Sequence, residues 1–130
     1  MLVIGSIEMV VYPVICHFEE GSYWSEFPDL PGCFSQGNTE QEIVMNSRES
    51  MEGYLISLLE SGADIPEPSK ITDIKIKSPD FCTYVEGDLT TSTKYVRKNV
   101  TIPEWLSKKA EKKGINFSHV LQEGLLRTLA

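Results

Sequence analysis

Histidine is scarce in this 130-residue chain: His17 and His119 stand alone, near opposite ends. Cys-x-x-Cys and His-x-x-x-His spacings are both missing, which argues against a zinc site. No glycine-rich stretch has the form of a phosphate-cradling loop. The three cysteines, Cys16, Cys33 and Cys82, are an odd number at long, unequal spacings. They do not read as a disulfide scaffold, and they fit a reducing, cytoplasmic setting. The apolar opening "MLVIGSIEMVVYPVI" lacks a basic start and is broken by Glu8 and Pro13, so it reads as neither a signal peptide nor a membrane span. Met9 offers a second start, which would make residues 1–8 a dispensable extension. Repeats and low-complexity tracts are absent too.

Basic side chains are what the first 92 residues lack most. Arg48, Lys70, Lys75 and Lys77 face 16 acidic residues there, a net of −12. Residues 93–130 reverse the balance, with 8 basic against 3 acidic, a net of +5. The whole chain carries −7 with 41% hydrophobic residues, a globular composition. The split points to two domains with different partners. An acidic part repels nucleic acid and attracts basic proteins; a basic tail attracts phosphate.

The order of elements reads α+β. Strands are expected at about 10–18 and 23–27, both rich in β-branched and aromatic residues, with "EEGS" as the turn. "CFSQG" supplies a short third strand. A helix follows over 40–60, where Thr39 and Glu42 form a capping box. Its face of Ile43, Ser47, Ser50, Met51, Tyr54, Leu55 and Leu58 is apolar or small, and the serines let it approach a sheet closely. Ser61-Gly62 stops it, and "ADIPEPS" cannot continue it. "ITDIKIK" alternates as a fourth strand, while "DFCTYVEG" reads as an edge strand running into a polar linker. This gives a domain at 1–86, a linker at 87–93 and a second domain at 94–130.

The tail reads as one strand, "YVRKNVTI", and two helices. Pro103 suits a first turn, Gly114 ends the first helix, and Asn116 caps a second that runs to about Leu129. So small a piece cannot bury a core alone, and a lone strand has two unpaired edges. It therefore needs a partner, most simply a second copy whose strand pairs with this one.

Catalysis has little to stand on. Cys16 and His17 are neighbours, so on a strand they point to opposite faces. Glu19, Glu20, Glu26 and Asp29 suggest a two-metal carboxylate cluster only by number, since two of them sit in or beside turns. The stretch "FPDLPGCFSQGNT" reads as a structural corner between strands, with Cys33 a small core residue. No cofactor is expected.

Two stretches carry a resemblance. "VRKNVTIPEWL" and "KKGINFSHVLQEGL" resemble a ribbon-helix-helix DNA-binding domain. The front resembles the N-terminal domain of HicB antitoxins, through Tyr12-Pro13, "FEEG" at 18–21, Tyr23, "FPDLPGC" at 27–33, "GNT" at 37–39, Arg48-Glu49, Tyr54-Leu55, Leu58-Leu59, Gly62 and "IPEPS" at 65–69. The resemblance implies a sheet with one packed helix, described as a partial, non-catalytic ribonuclease-H-like unit. It implies an antitoxin that blocks HicA, a small basic RNA-cleaving toxin, and represses its own operon. The other reading is a free-standing regulator or degenerate nuclease without a toxin partner.

Ribbon-helix-helix proteins pair two strands into a ribbon that lies in the major groove. Here Val96, Val100 and Ile102 would face the helices, and Arg97, Asn99 and Thr101 the bases. Asn116, Phe117 and Ser118, at the start of the second helix, would meet a phosphate, with Lys94 and Lys98 adding charge. Lys98 departs from the pattern, because its parity is inward; it fits only at a ribbon end, snorkelling out. For the toxin the candidates are Glu19, Glu20, Tyr23, Trp24, Glu26 and Asp29, acids beside aromatics. Tyr23 and Trp24 alternate, so one of them belongs to the core. A homodimer through the tail is the minimum assembly, and separate pairing of the front domains would make a tetramer.

Overall fold

The computed structural model describes residues 9–89 and 95–130. The extension read at residues 1–8, the end of the expected linker and Lys94 lie outside them. The chain divides into two compact units, with the division between residues 93 and 94.

The first unit is a four-stranded antiparallel sheet in the order β3-β2-β1-β4, with one long helix against one face. β1 (Met9–Glu19) and β2 (Ser22–Phe27) are joined by Glu20-Gly21. Both turn residues have positive φ, 51° and 81°. That backbone matches the strand twist of a two-residue hairpin and explains the glycine at the second position. β3 (Leu30–Gly37) is longer than the expected "CFSQG". Phe27 pairs with Leu30 but Glu26 with Phe34, so Pro31, Gly32 and Cys33 bulge out of the ladder, with Gly32 at φ 84°. The corner is thus a bulged strand start rather than a loop, and it buries Cys33.

Helix α1 (Glu40–Glu60) starts on Thr39, whose Oγ1 accepts from the Glu42 N–H at 3.0 Å. It ends where Ala63 N–H reaches the Leu58 carbonyl and Gly62 N–H the Leu59 carbonyl, with Gly62 at φ 83°. Ile43, Ser47, Met51, Leu55 and Ile56 are buried on it. They meet Val10, Tyr12, Val14 and Cys16 of β1, with Phe27, Cys33 and Val85. Burying each large apolar side chain stabilises the unit by roughly 1.5–3 kcal/mol. Close approach shows at two points. Ser47 Oγ meets Ser25 Oγ at 2.6 Å, both fully buried. A Cβ on Gly37 would stand 2.7 Å from the Ile43 amide nitrogen.

The expected fourth strand at "ITDIKIK" is not one. Residues Ile71–Asp73 form a single 3-10 turn, and β4 is Phe81–Asp88, the stretch read as an edge strand. Burial explains the choice. Val85 and Gly87 of β4 are buried, whereas no residue of 71–77 is. The Tyr84 hydroxyl accepts from the Ile71 N–H instead, at 3.0 Å. The linker starts later than expected: Gly87 and Asp88 belong to β4, and Leu89 is buried.

The second unit holds α2 (Glu104–Lys112) and α3 (Phe117–Leu129). Gly114, at φ 68°, closes α2 with the same pair of bonds as Gly62: Ile115 N–H to Ala110 and Gly114 N–H to Glu111. Residues 95–103, expected to begin as a strand, carry no regular secondary structure. A strand is defined by its ladder, and a single copy has nothing here to pair with. Among the described residues no helix is long and apolar enough to cross a membrane.

Candidate functional site

The helix covers one face of the sheet. Strand parity sends the remaining side chains to the other face, where His17, Trp24, Glu26 and Phe34 stand together. His17 and Trp24 are cross-strand partners, and their rings stack at 4.3 Å and 24°. Trp24 meets Phe34 of β3 edge-on at 6.4 Å. Phe34 is 61% exposed. His17 is gripped on both sides. Its Nδ1 lies 2.9 Å from Asp80 Oδ2 and its Nε2 2.7 Å from Glu26 Oε2.

Ionised carboxylates can only accept, so a carboxylate at each ring nitrogen favours the doubly protonated imidazolium over the neutral ring. Burial works against that charge, but the hydrogen bonds and charges of Asp80 and Glu26 outweigh it and raise the His17 pKa above its ordinary value. The Phe18 N–H, which donates to Asp80 Oδ1 at 2.9 Å, and His17 hold the Asp80 carboxyl below its usual range.

The acidic and aromatic candidates separate into three places. Glu19, Glu20, Tyr23 and Trp24 line one open hollow of about 300 Å³ at the end of the β1–β2 hairpin. Trp24 with Phe34 lines an adjoining hollow of about 400 Å³. Glu26 is the partner of His17. Asp29 stands apart, and its carboxylate accepts from the Ser69 N–H at 2.9 Å and the Ser69 hydroxyl at 2.5 Å. It ties the "IPEPS" segment to the corner after β2. The Tyr12 hydroxyl does the same from the core side, donating to the Pro66 carbonyl. Of the alternating pair, Tyr23 is the one that joins the core, packing on Phe18 and Phe81, and Trp24 is the outer one. Cys16 is buried and His17 is not, on opposite faces. Burial pushes the Cys16 thiol up to about 12 and Cys33 to about 11, so neither forms a ready thiolate. Among the described residues no group of three or more His, Cys, Asp or Glu side chains is placed to hold a metal ion.

In the second unit, Arg97, Lys98 and Asn99 line an open groove of about 720 Å³ with Ser118, Leu121 and Leu125 of α3. Thr101 is exposed on the same segment. Asn116 caps α3, its Oδ1 accepting from the His119 N–H at 3.0 Å, which leaves Phe117 and Ser118 at the positive end of the helix. Burial does not distinguish the two faces of residues 95–102: Val96, Val100 and Ile102 are exposed, as are Arg97, Asn99 and Thr101.

A family model described as HicB_like antitoxin of bacterial toxin-antitoxin system matches residues 12–130. The chain belongs to this family. An uncharacterised 14.9 kDa protein from the rep-hol intergenic region of Haemophilus phage HP1 is 30% identical over 102 residues, covering 75% of this chain and 76% of that protein. The fold is similar to the crystal structure of the Burkholderia pseudomallei antitoxin HicB, with a TM-score of 0.60 at 27% identity, covering 93% of this chain and 99% of that one. It is similar also to a chain of the HicA3 and HicB3 toxin-antitoxin complex, with a TM-score of 0.50 at 28% identity, over 61% of this chain and 99% of that one.

Sequence reading did not find Phe34, His17 or Asp80 as members of the outer face. Phe34 was within reach, since its alternation from the buried Cys33 is legible once β3 is placed. Asp80 was not, because only the fold brings it to His17 across 63 positions.

Proposed function

We propose that this chain is an antitoxin that binds and blocks a HicA-type RNA-cleaving toxin with its acidic first unit, and represses its own operon by binding operator DNA with its basic tail. The observation that carries this reading is the tail itself: none of the side chains of residues 95–130 is buried, while Val96, Val100, Ile102, Leu121 and Leu125 are all exposed. Such a surface calls for a second copy. Antiparallel pairing of two 95–102 segments would supply the missing ladder and cover the aliphatic side chains, making a ribbon-helix-helix dimer. Arg97, Asn99 and Thr101 would then face base edges, where Arg can bond guanine bidentately and Asn adenine. Phe117 and Ser118 would present the α3 N-terminus to a phosphate, with Lys94 and Lys98 adding charge.

For the toxin, support comes from the net charge of −12 over residues 1–92 and from the HicA3–HicB3 complex among the similar structures. Glu19, Glu20, Tyr23, Trp24 and Glu26 are the binding candidates. Asp29 contributes through the Ser69 tie. The first unit is read as a non-catalytic, ribonuclease-H-like remnant, and the free thiols as suited to the cytoplasm. Co-expression with a HicA-type toxin encoded beside this chain tests the antitoxin role: growth rescue and a stable complex are expected, and toxicity unrelieved by this chain overturns it. Arg97→Ala with Asn99→Ala should abolish the operator gel shift and leave the dimer intact; unchanged affinity at physiological salt rejects the ribbon.

A further inference from the structure

We propose that the helix-free face of the sheet is where the basic toxin docks, with one cationic side chain of the toxin lying across the Trp24 indole and its head between Glu19 and Glu20. This rests on the antitoxin reading and narrows it to one face and one kind of contact. The two hollows described above share Trp24 and Gln36. An apolar hollow therefore borders an acidic one across these two side chains. A long cationic side chain has that same division, an apolar stem and a charged head. Arginine fits best, because its planar guanidinium stacks on aromatic faces and meets carboxylates at its edge.

Trp24 is built as an anchor. His17 stacks on it and is itself pinned by Glu26 and Asp80, so the indole is held before any partner arrives. A side chain ordered in advance loses little freedom on contact. Phe34 borders the indole, and its exposure on a strand face leaves a large ring to be covered. A rival surface exists on the helix side of the first unit. A hollow of about 560 Å³ between α1 and β4 is lined by Val44, Met45 and Phe81, with Glu40 as its one acid. It offers a basic partner little. Charge complementarity selects the Trp24 face.

The test is calorimetric titration of the full chain with a purified HicA-type toxin encoded beside it. Phe34→Ala, and separately Glu19→Lys with Glu20→Lys, should weaken binding by about 10- to 100-fold, and Met45→Asp by less than about 3-fold. These positions are exposed, and unchanged melting curves verify that the variants fold. In the chain labelled with 5-fluorotryptophan, the Trp24 resonance should shift on binding and the Trp105 resonance should not, with Trp105→Phe supplying the assignment. Wild-type affinity in the Phe34 and Glu19/Glu20 variants overturns the docking face and leaves the antitoxin reading standing. So does a loss confined to Met45→Asp. A wild-type chain that does not bind overturns both.

Discussion

The two units solve the same problem in opposite ways. Residues 9–89 bury fourteen hydrophobic side chains between one sheet and one helix. Residues 95–130 bury none, although α2 closes its C-terminal turn at Gly114 and α3 is capped by Asn116. Local signals suffice to shape a helix, but stability in water comes from covering its apolar face. The first unit covers its own. The second presents that face outward, and under the proposed pairing its folding would be coupled to association. A domain that covers its own apolar face and a tail that leaves its own exposed match the proposed division of labour, in which the tail pairs with a second copy.

The sharpest way to break this contrast is Leu121→Asp. It places a charge where a partner should cover α3, at a cost of several kcal/mol. Sedimentation should report monomer, and the concentration-dependent melting transition should vanish while the other transition stays. If both transitions move together, the units are not independent. Leu55→Ala attacks the other side. It should cost the first unit about 2–5 kcal/mol and leave the dimer unaffected, as read by denaturant unfolding. A smaller effect tests the contact between helix and sheet. Ser47→Ala strands the buried Ser25 hydroxyl and should cost about 1–3 kcal/mol, and adding Ser25→Ala should recover much of it. Asn116→Ala removes the α3 cap, worth about 1 kcal/mol, and should lower only the association-dependent transition.

The smallest expected effect is a pH slope confined to the first unit. His17 titrates above its ordinary 6.5 when folded, so its stabilisation is complete below 6.5 and is lost as pH rises through the raised value. Asp80 titrates below its ordinary 3.8, so its contribution is present above 3.8 and is lost as pH falls through the lowered value. The melting temperature of the first unit should decline as pH rises past the raised value of His17. His17→Gln should flatten that decline, and a wild-type profile level in this range rejects the imidazolium.

Both helix boundaries of the tail, the cap on Thr39, the glycine stops and the first two strands were legible in the sequence, because capping, turn chemistry and alternation act over a few residues. The charge split and the family motifs were legible for the same reason: they need no partner in space. Three things were decided by tertiary structure. The fourth strand went to "FCTYVEGD" rather than to the better alternating "ITDIKIK", since only the former buries Val85 and Gly87 against the helix face. Asp29 was drawn to Ser69, a contact no local rule anticipates. The outer cluster of His17, Trp24, Glu26, Phe34 and Asp80 comes from three strands and a loop. Alternation settles which way each strand residue points, but pairing register and chain return settle which residues meet.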